Sequence, residues 1–99
     1  MSEGINSNDV VTKLRHLKPD LEKRYGVTRL GVFGSIARNE ADHKSDIDIV
    51  VDMAPDLFKR VSLKAELELI FDKEVDVVRY WHGMNHYLKT RIDREAVYV

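Results

Sequence analysis

Asp46 and Asp48 stand two residues apart in Asp46-Ile47-Asp48-Ile49-Val50-Val51, whose alternation predicts a strand. Ile47, Ile49 and Val51 make one apolar face, leaving Asp46, Asp48, Val50 and Asp52 on the other. Aspartate is among the residues most depleted in strands, so this placement asks for a reason. From the strand rise, Cα atoms two apart on one face are roughly 7 Å from each other. Both carboxylates can then turn toward one point, where they repel unless cations occupy it. Ligands that are all oxygen suit Mg²⁺ or Mn²⁺ better than zinc. On these residues alone, a solvated strand face that carries acid is an equal alternative.

Asp76 sits inside Val75-Asp76-Val77-Val78, again an aspartate within an apolar strand. Taken singly it reads as the exposed side of an edge strand. If its strand pairs beside that of Asp46 and Asp48, three carboxylates converge on one patch. Such a patch can hold two divalent ions about 4 Å apart, one for each oxygen of a phosphoryl displacement.

Gly34-Ser35 supplies the complementary half. A strand ending in Phe33-Gly34-Ser35 and turning at once into a helical segment points backbone N–H groups and the Ser35 hydroxyl at an anion. The alternative is an ordinary strand-to-helix turn with Ser35 as its cap. Ten residues separate Ser35 from Asp46, enough for a helical turn and a loop back to the sheet. An anion cradle and a metal cluster at one sheet edge would meet the needs of a nucleoside triphosphate with Mg²⁺.

The elements that must position these groups follow from periodicity. Val10, Leu14, Leu17 and Leu21 form one helical stripe, with Ser7 or Asn8 as cap and Tyr25-Gly26 as its end. Pro19 is expected to kink or restart that helix. A strand is expected over 28–33, a short helical turn over 36–39, and the aspartate strand over 46–51. Leu63, Leu67 and Ile70 share a helix face that ends near Phe71. A third strand covers 75–78, Met84, Leu88 and Ile92 mark a last helix, and 96–99 is a short strand or a packed tail. This order predicts an α+β fold, a single mixed β-sheet flanked by helices, with residues 1–99 as one domain.

Composition narrows the function. The 99 residues suit one small core, and no apolar run approaches the roughly 20 residues of a membrane span. The first residues lack the basic start and apolar core of a signal peptide, so a cytoplasmic location is expected. There is no cysteine for disulfides or thiolate zinc sites. A formal charge of −1 gives no basic field for nucleic acid, so no stable nucleic-acid binding is expected. His82 and His86 have metal-binding spacing but no third ligand, and read as surface or helix-end residues.

The run from Arg29 to Arg38, with Phe33-Gly34-Ser35 at its centre, and the run from Ser45 to Val51 together resemble the minimal nucleotidyltransferases of the polymerase-β-like superfamily. The strand with Asp76 and the ending from Ile92 to Val99 resemble them too, so the likeness spans nearly the whole chain. It implies the polymerase-β-like nucleotidyltransferase fold, with Gly34 and Ser35 on the β- and γ-phosphates of ATP. Asp46 and Asp48 would ligate two Mg²⁺ or Mn²⁺ ions, and Asp76 the catalytic one while helping to deprotonate the attacking hydroxyl. Arg38 would support the triphosphate or brace an aspartate, with a surface salt bridge as its alternative, and Lys44 and Ser45 would be phosphate neighbours. Relatives often carry a basic residue at the position of Ile36 and glycine at that of Asn39. These departures leave the catalytic set intact, with a weaker triphosphate contact as their expected cost. The resemblance further implies an antitoxin that transfers AMP to a tyrosine of a HEPN-domain toxin. Two other readings compete: a binding module that neutralises its partner by occlusion, and a phosphatase built on the D-x-D-x-V pattern of haloacid dehalogenase-like enzymes. The phosphatase would need a larger doubly wound domain with a later lysine and acidic pair.

Overall fold

The computed structural model describes residues 6–40 and 46–99. Helix α1 spans Ser7–Tyr25, and its cap is Asn6, whose Oδ1 accepts the Asp9 N–H at 2.9 Å. The cap therefore falls one residue before the expected Ser7 or Asn8. The helix ends at Gly26, in the left-handed region at φ 71°, whose N–H donates to the Glu22 carbonyl. Against expectation, it runs without restart through Pro19. Leu14 and Leu21 are both fully buried on one stripe, so core packing holds the axis on either side of the proline. Pro19 and Arg15 are exposed, where the carbonyl that loses its donor can reach water.

The remaining order is β1 (Arg29–Phe33), β2 (Ile47–Asp52), α2 (Leu57–Phe71), β3 (Val75–Arg79), α3 (His86–Glu95) and β4 (Val97–Tyr98). The four strands form one mixed sheet in the order β3-β2-β1-β4. β1 is antiparallel to both β2 and β4, while β2 and β3 are parallel. A parallel pair needs a crossover, and α2 supplies it. Asp56 caps α2 by accepting the Lys59 N–H at 3.0 Å. The doubly wound parallel sheet that a D-x-D-x-V phosphatase requires is absent from this topology. The last helix starts at His86 with Asn85 as cap, so Met84 precedes it rather than opening it.

Each face of the sheet has its own cover. Val10, Leu14 and Leu21 of α1 and Leu63 and Leu67 of α2 pack on Leu30, Val32, Ile47, Ile49, Val51 and Val75. All of these are essentially fully buried, and each contributes roughly 1.5–3 kcal/mol by leaving water. The other face has a smaller cluster, Phe33, Val50 and Ile92, fringed by Val78, Tyr80, Leu88 and Tyr98. Among the described residues, only α3 lies over it. That second face is the one that carries the aspartates.

The ending of the chain is a strand, with Gly31 opposite Tyr98 and Val32 opposite Val97. Glycine at 31 is required by close approach: a Cβ there would lie 2.8 Å from Tyr98 Cδ1 and 2.8 Å from the Val97 carbonyl oxygen. Gly31→Val should therefore push β4 off β1 at a cost of about 1–3 kcal/mol. Hydrogen exchange should show lost protection at the Val99 N–H, which bonds the Leu30 carbonyl at 2.9 Å. Unchanged protection there would mean that β4 does not depend on the absent side chain.

Candidate active site

Strand register brings the carboxylates together. In the parallel pair Asp48 lies directly beside Asp76, and in the antiparallel pair Asp48 faces Phe33. Neighbours in register point to the same side of a sheet. The apolar cluster under α3 ends at Phe33 and Val50, so the carboxylates lie at its margin. Asp48 is half-buried, whereas Asp46 and Asp76 are exposed.

This arrangement pushes the Asp48 carboxyl up to about 6. Burial is the largest cause, followed by the charge of Asp76; Asp46 adds repulsion, Asp76 shares a hydrogen bond, and Arg91 pulls the other way. A half-buried oxygen donor crowded by a second carboxylate is short of positive charge. The donor set, all hard oxygen, fits a divalent ion such as Mg²⁺ or Mn²⁺. Among the described residues, however, no three acidic or imidazole side chains close on one point as a metal cage. Asp48 and Asp76 meet; Asp46, just before β2, acts on Asp48 through its charge.

Gly34 follows β1 at φ 77°, a left-handed conformation natural to glycine. A side chain there would also run into the Asp48 carboxylate, so the turn is packed directly against the acidic pair. The expected helical turn is present as one turn over 34–39. The Arg38 N–H donates to the Gly34 carbonyl at 3.1 Å. It closes in a Schellman pattern, Asn39 N–H to Ile36 carbonyl at 3.0 Å and Glu40 N–H to Ser35 carbonyl at 2.9 Å. Asn39, at φ 59°, is the left-handed residue of that motif, a position asparagine fills next best to glycine. Ile36 is fully buried among Val10, Leu14 and Ile47. Its side chain is a packing group of the core.

The cradle already holds an anion of the protein's own. Glu95 Oε1 accepts the Gly34 N–H at 3.2 Å and pairs with Arg38 Nη1 at 3.0 Å and Arg91 Nη2 at 3.5 Å. Arg38 also reaches Glu40 through Nε at 2.8 Å. Arg38 thus makes the salt bridges of its alternative reading, on two glutamates, and no brace to an aspartate is seen among the described residues. Ser35 is half-buried next to them. Ser45, Lys44 and His43 lie outside the described residues. Asp52, on the same face as Asp48, belongs elsewhere: it pairs with Arg29 at 3.8 Å. His82 and His86 are exposed, in keeping with a surface reading. Arg91 and Glu95 are the residues that sequence reasoning missed. Their spacing of four on a helix signals a pair, yet nothing local says that the pair faces a glycine sixty residues away.

The family model of a nucleotidyltransferase domain matches residues 14–99. The chain is 42% identical over 84 residues to the protein adenylyltransferase MntA of Thermococcus cleftensis, covering 83% of this chain and 84% of that protein. A structure assigned as a minimal nucleotidyltransferase superposes with a TM-score of 0.76 at 30% identity, over 94% of this chain and 95% of that one. A crystal structure of a toxin–antitoxin with AMP-PNP gives a TM-score of 0.67 at 25% identity, over 95% of this chain and 72% of that one.

The crowding of Asp48 has a sign that can be measured. Its pKa lies at about 6 in the folded protein against an ordinary 3.8. The stability that its proton supplies is therefore full below the ordinary value and lost as pH climbs through about 6. Asp48→Asn should remove this loss, so the metal-free variant should melt above wild type at pH 8 and converge on it near pH 4. Mg²⁺ or Mn²⁺ should bind wild type more weakly as pH falls below about 6, because the ion must displace that proton. Parallel melting curves for the two proteins across this range would show that the carboxylates do not crowd.

Proposed function

The chain belongs to the nucleotidyltransferase domain family, and from that premise we propose that it transfers AMP from ATP to a tyrosine hydroxyl of a HEPN-type toxin, acting as its antitoxin. The observation that carries the chemistry is the register pairing of Asp48 with Asp76 against the Gly34 turn. The transferred group and the partner are supported by the relative named a protein adenylyltransferase and by the toxin–antitoxin neighbour with AMP-PNP. A cytoplasmic setting, which supplies ATP and Mg²⁺, goes with this reading.

In this reading Gly34 and Ser35 bind the β- and γ-phosphates through the Ser35 hydroxyl and the backbone of the turn. Arg38 neutralises phosphate charge from the first turn beyond them, and Ser45 adds a hydroxyl to the phosphates. Asp46, Asp48 and Asp76 would hold two divalent ions, Mg²⁺ or Mn²⁺, and such ions would supply Lewis acidity to the transfer. Asp76, exposed at the margin of the site, takes the acceptor's proton on its carboxylate. The acceptor oxygen forms a bond to the α-phosphorus, the bond from α-phosphorus to the bridging oxygen breaks, and pyrophosphate carries away the electron pair. A tyrosine presented by a folded partner suits a site whose Asp46 and Asp76 are exposed.

With purified toxin, ATP and Mg²⁺, mass spectrometry should find AMP on a toxin tyrosine and pyrophosphate in solution. Asp76→Asn should keep the apo melting point and reduce transfer by about 10²-fold or more. Ser35→Ala should weaken ATP binding without loss of fold. Release of orthophosphate without an adduct would favour hydrolysis instead. Toxin neutralised equally by Asp76→Asn and wild type would make occlusion, not transfer, the mode of action.

A further inference from the structure

We propose that Arg91 is a further substrate-binding residue of this site, closing with Arg38 on the phosphates that leave as pyrophosphate. The inference rests on the transfer reading above and names the residues that would grip the leaving group. Its basis is the environment of a single oxygen, Glu95 Oε1. That atom accepts a backbone N–H from the phosphate-binding turn at 3.2 Å and faces guanidinia at 3.0 and 3.5 Å from two different elements. Donors aimed at one point from a turn and a helix make an anion site, and a lone carboxylate fills it incompletely. Two guanidinium charges meet one carboxylate there; Glu40, the other partner of Arg38, is largely exposed and screens little.

Arg91 is the member that connects this cradle to the acidic pair. It projects from α3, the helix packed over the face that carries Asp48, and its guanidinium lies 5.9 Å from the centroid of the Phe33 ring. Phe33 is the register partner of Asp48 and the residue before Gly34. The guanidinium therefore stands between the carboxylates, where an α-phosphate would react, and the turn, where the outer phosphates would rest. Its Glu95 contact engages one of five donors in a planar fork, a geometry suited to bridging phosphate oxygens.

Space is available on the same side. Arg38, Arg91, Arg94, Glu95, Thr90 and Tyr87 line a cleft of about 500 Å³. That volume is in the range of small-ligand sites, and three arginines against one glutamate give it a positive balance. A nucleoside monophosphate, which has no outer phosphates, would leave this cleft unused.

Calorimetry with inorganic tripolyphosphate, ATP and AMP, each with Mg²⁺, tests the assignment. Arg91→Ala should weaken tripolyphosphate and ATP at least tenfold and leave AMP unchanged. Arg91→Lys, which keeps the charge and loses the fork, should fall between and guards against a fold defect in the alanine variant. Arg94→Ala removes the same charge from the same cleft without a Glu95 contact among the described residues, and should cost clearly less. Equal losses in the Arg91 and Arg94 variants, or an unchanged affinity in Arg91→Ala, would overturn the proposal. If transfer to the toxin proceeds while Arg91→Ala binds ATP normally, the inference falls and the function stands. If tripolyphosphate binding depends on Arg91 but no transfer occurs, the inference stands and the function falls.

Discussion

Two carboxylates held side by side, one of them half-buried, are what the rest of the molecule is arranged around. Asp48 and Asp76 are register neighbours on parallel strands, and Asp48 also presses on the one residue, Gly34, that offers no side chain to resist it. Burial, and after it the charge of Asp76, disfavours the Asp48 carboxylate without cations, which is why its carboxyl holds its proton to about 6. The chain sustains that cost on the opposite face of the sheet. There the two long helices bury a continuous set of leucines, isoleucines and valines, and hydrophobic stabilisation of that extent dwarfs one strained carboxylate.

Division of labour between the two faces explains how so short a chain has an active site at all. A domain of this size can fill one core well. It does so under α1 and α2, and leaves the second face to a single short helix whose cluster has only Phe33, Val50 and Ile92 fully in place. The thin cover is functional space. It lets an oxygen-rich patch sit beside apolar residues, where desolvation tunes its charge, yet keeps Asp46 and Asp76 open to a partner.

What could be read in the sequence was whatever local rules dictate. Aspartates in strands, a Gly-Ser turn and a ten-residue return loop broke or matched local rules and pointed at the site. The strands followed from alternation, whereas the pairing of the Asp76 strand beside that of Asp48 stood only as a condition that the sheet register meets. Three features did not, for three physical reasons. Pro19 reads as a restart because propensity is local, while the leucines that keep the helix continuous act through the core. That Ile36 belongs to the core did not show, because a motif carries no burial information. Arg91 and Glu95 drew no reading because Glu95 meets Gly34, and holds Arg91 beside it, only through the tertiary packing of α3. The terminal strand β4 was half legible: its residues suit a strand, but only Gly31 across the sheet makes room for it.

The parallel pairing of β2 with β3 also has a kinetic meaning. A slip of one residue would turn Asp76 toward the leucines of α2 and expel Val75, which is fully buried in the native register. Burying an unpaired carboxylate costs several kcal/mol, and the lost valine adds to it, so misregistered molecules are scarce at equilibrium. Proofreading of the reactive geometry is thus done by the apolar side of the strand, before any nucleotide is present. Mutations that blur alternation in β3, even conservative ones far from any phosphate, would lower the fraction of chains folded into a competent register while leaving each competent molecule as fast as before.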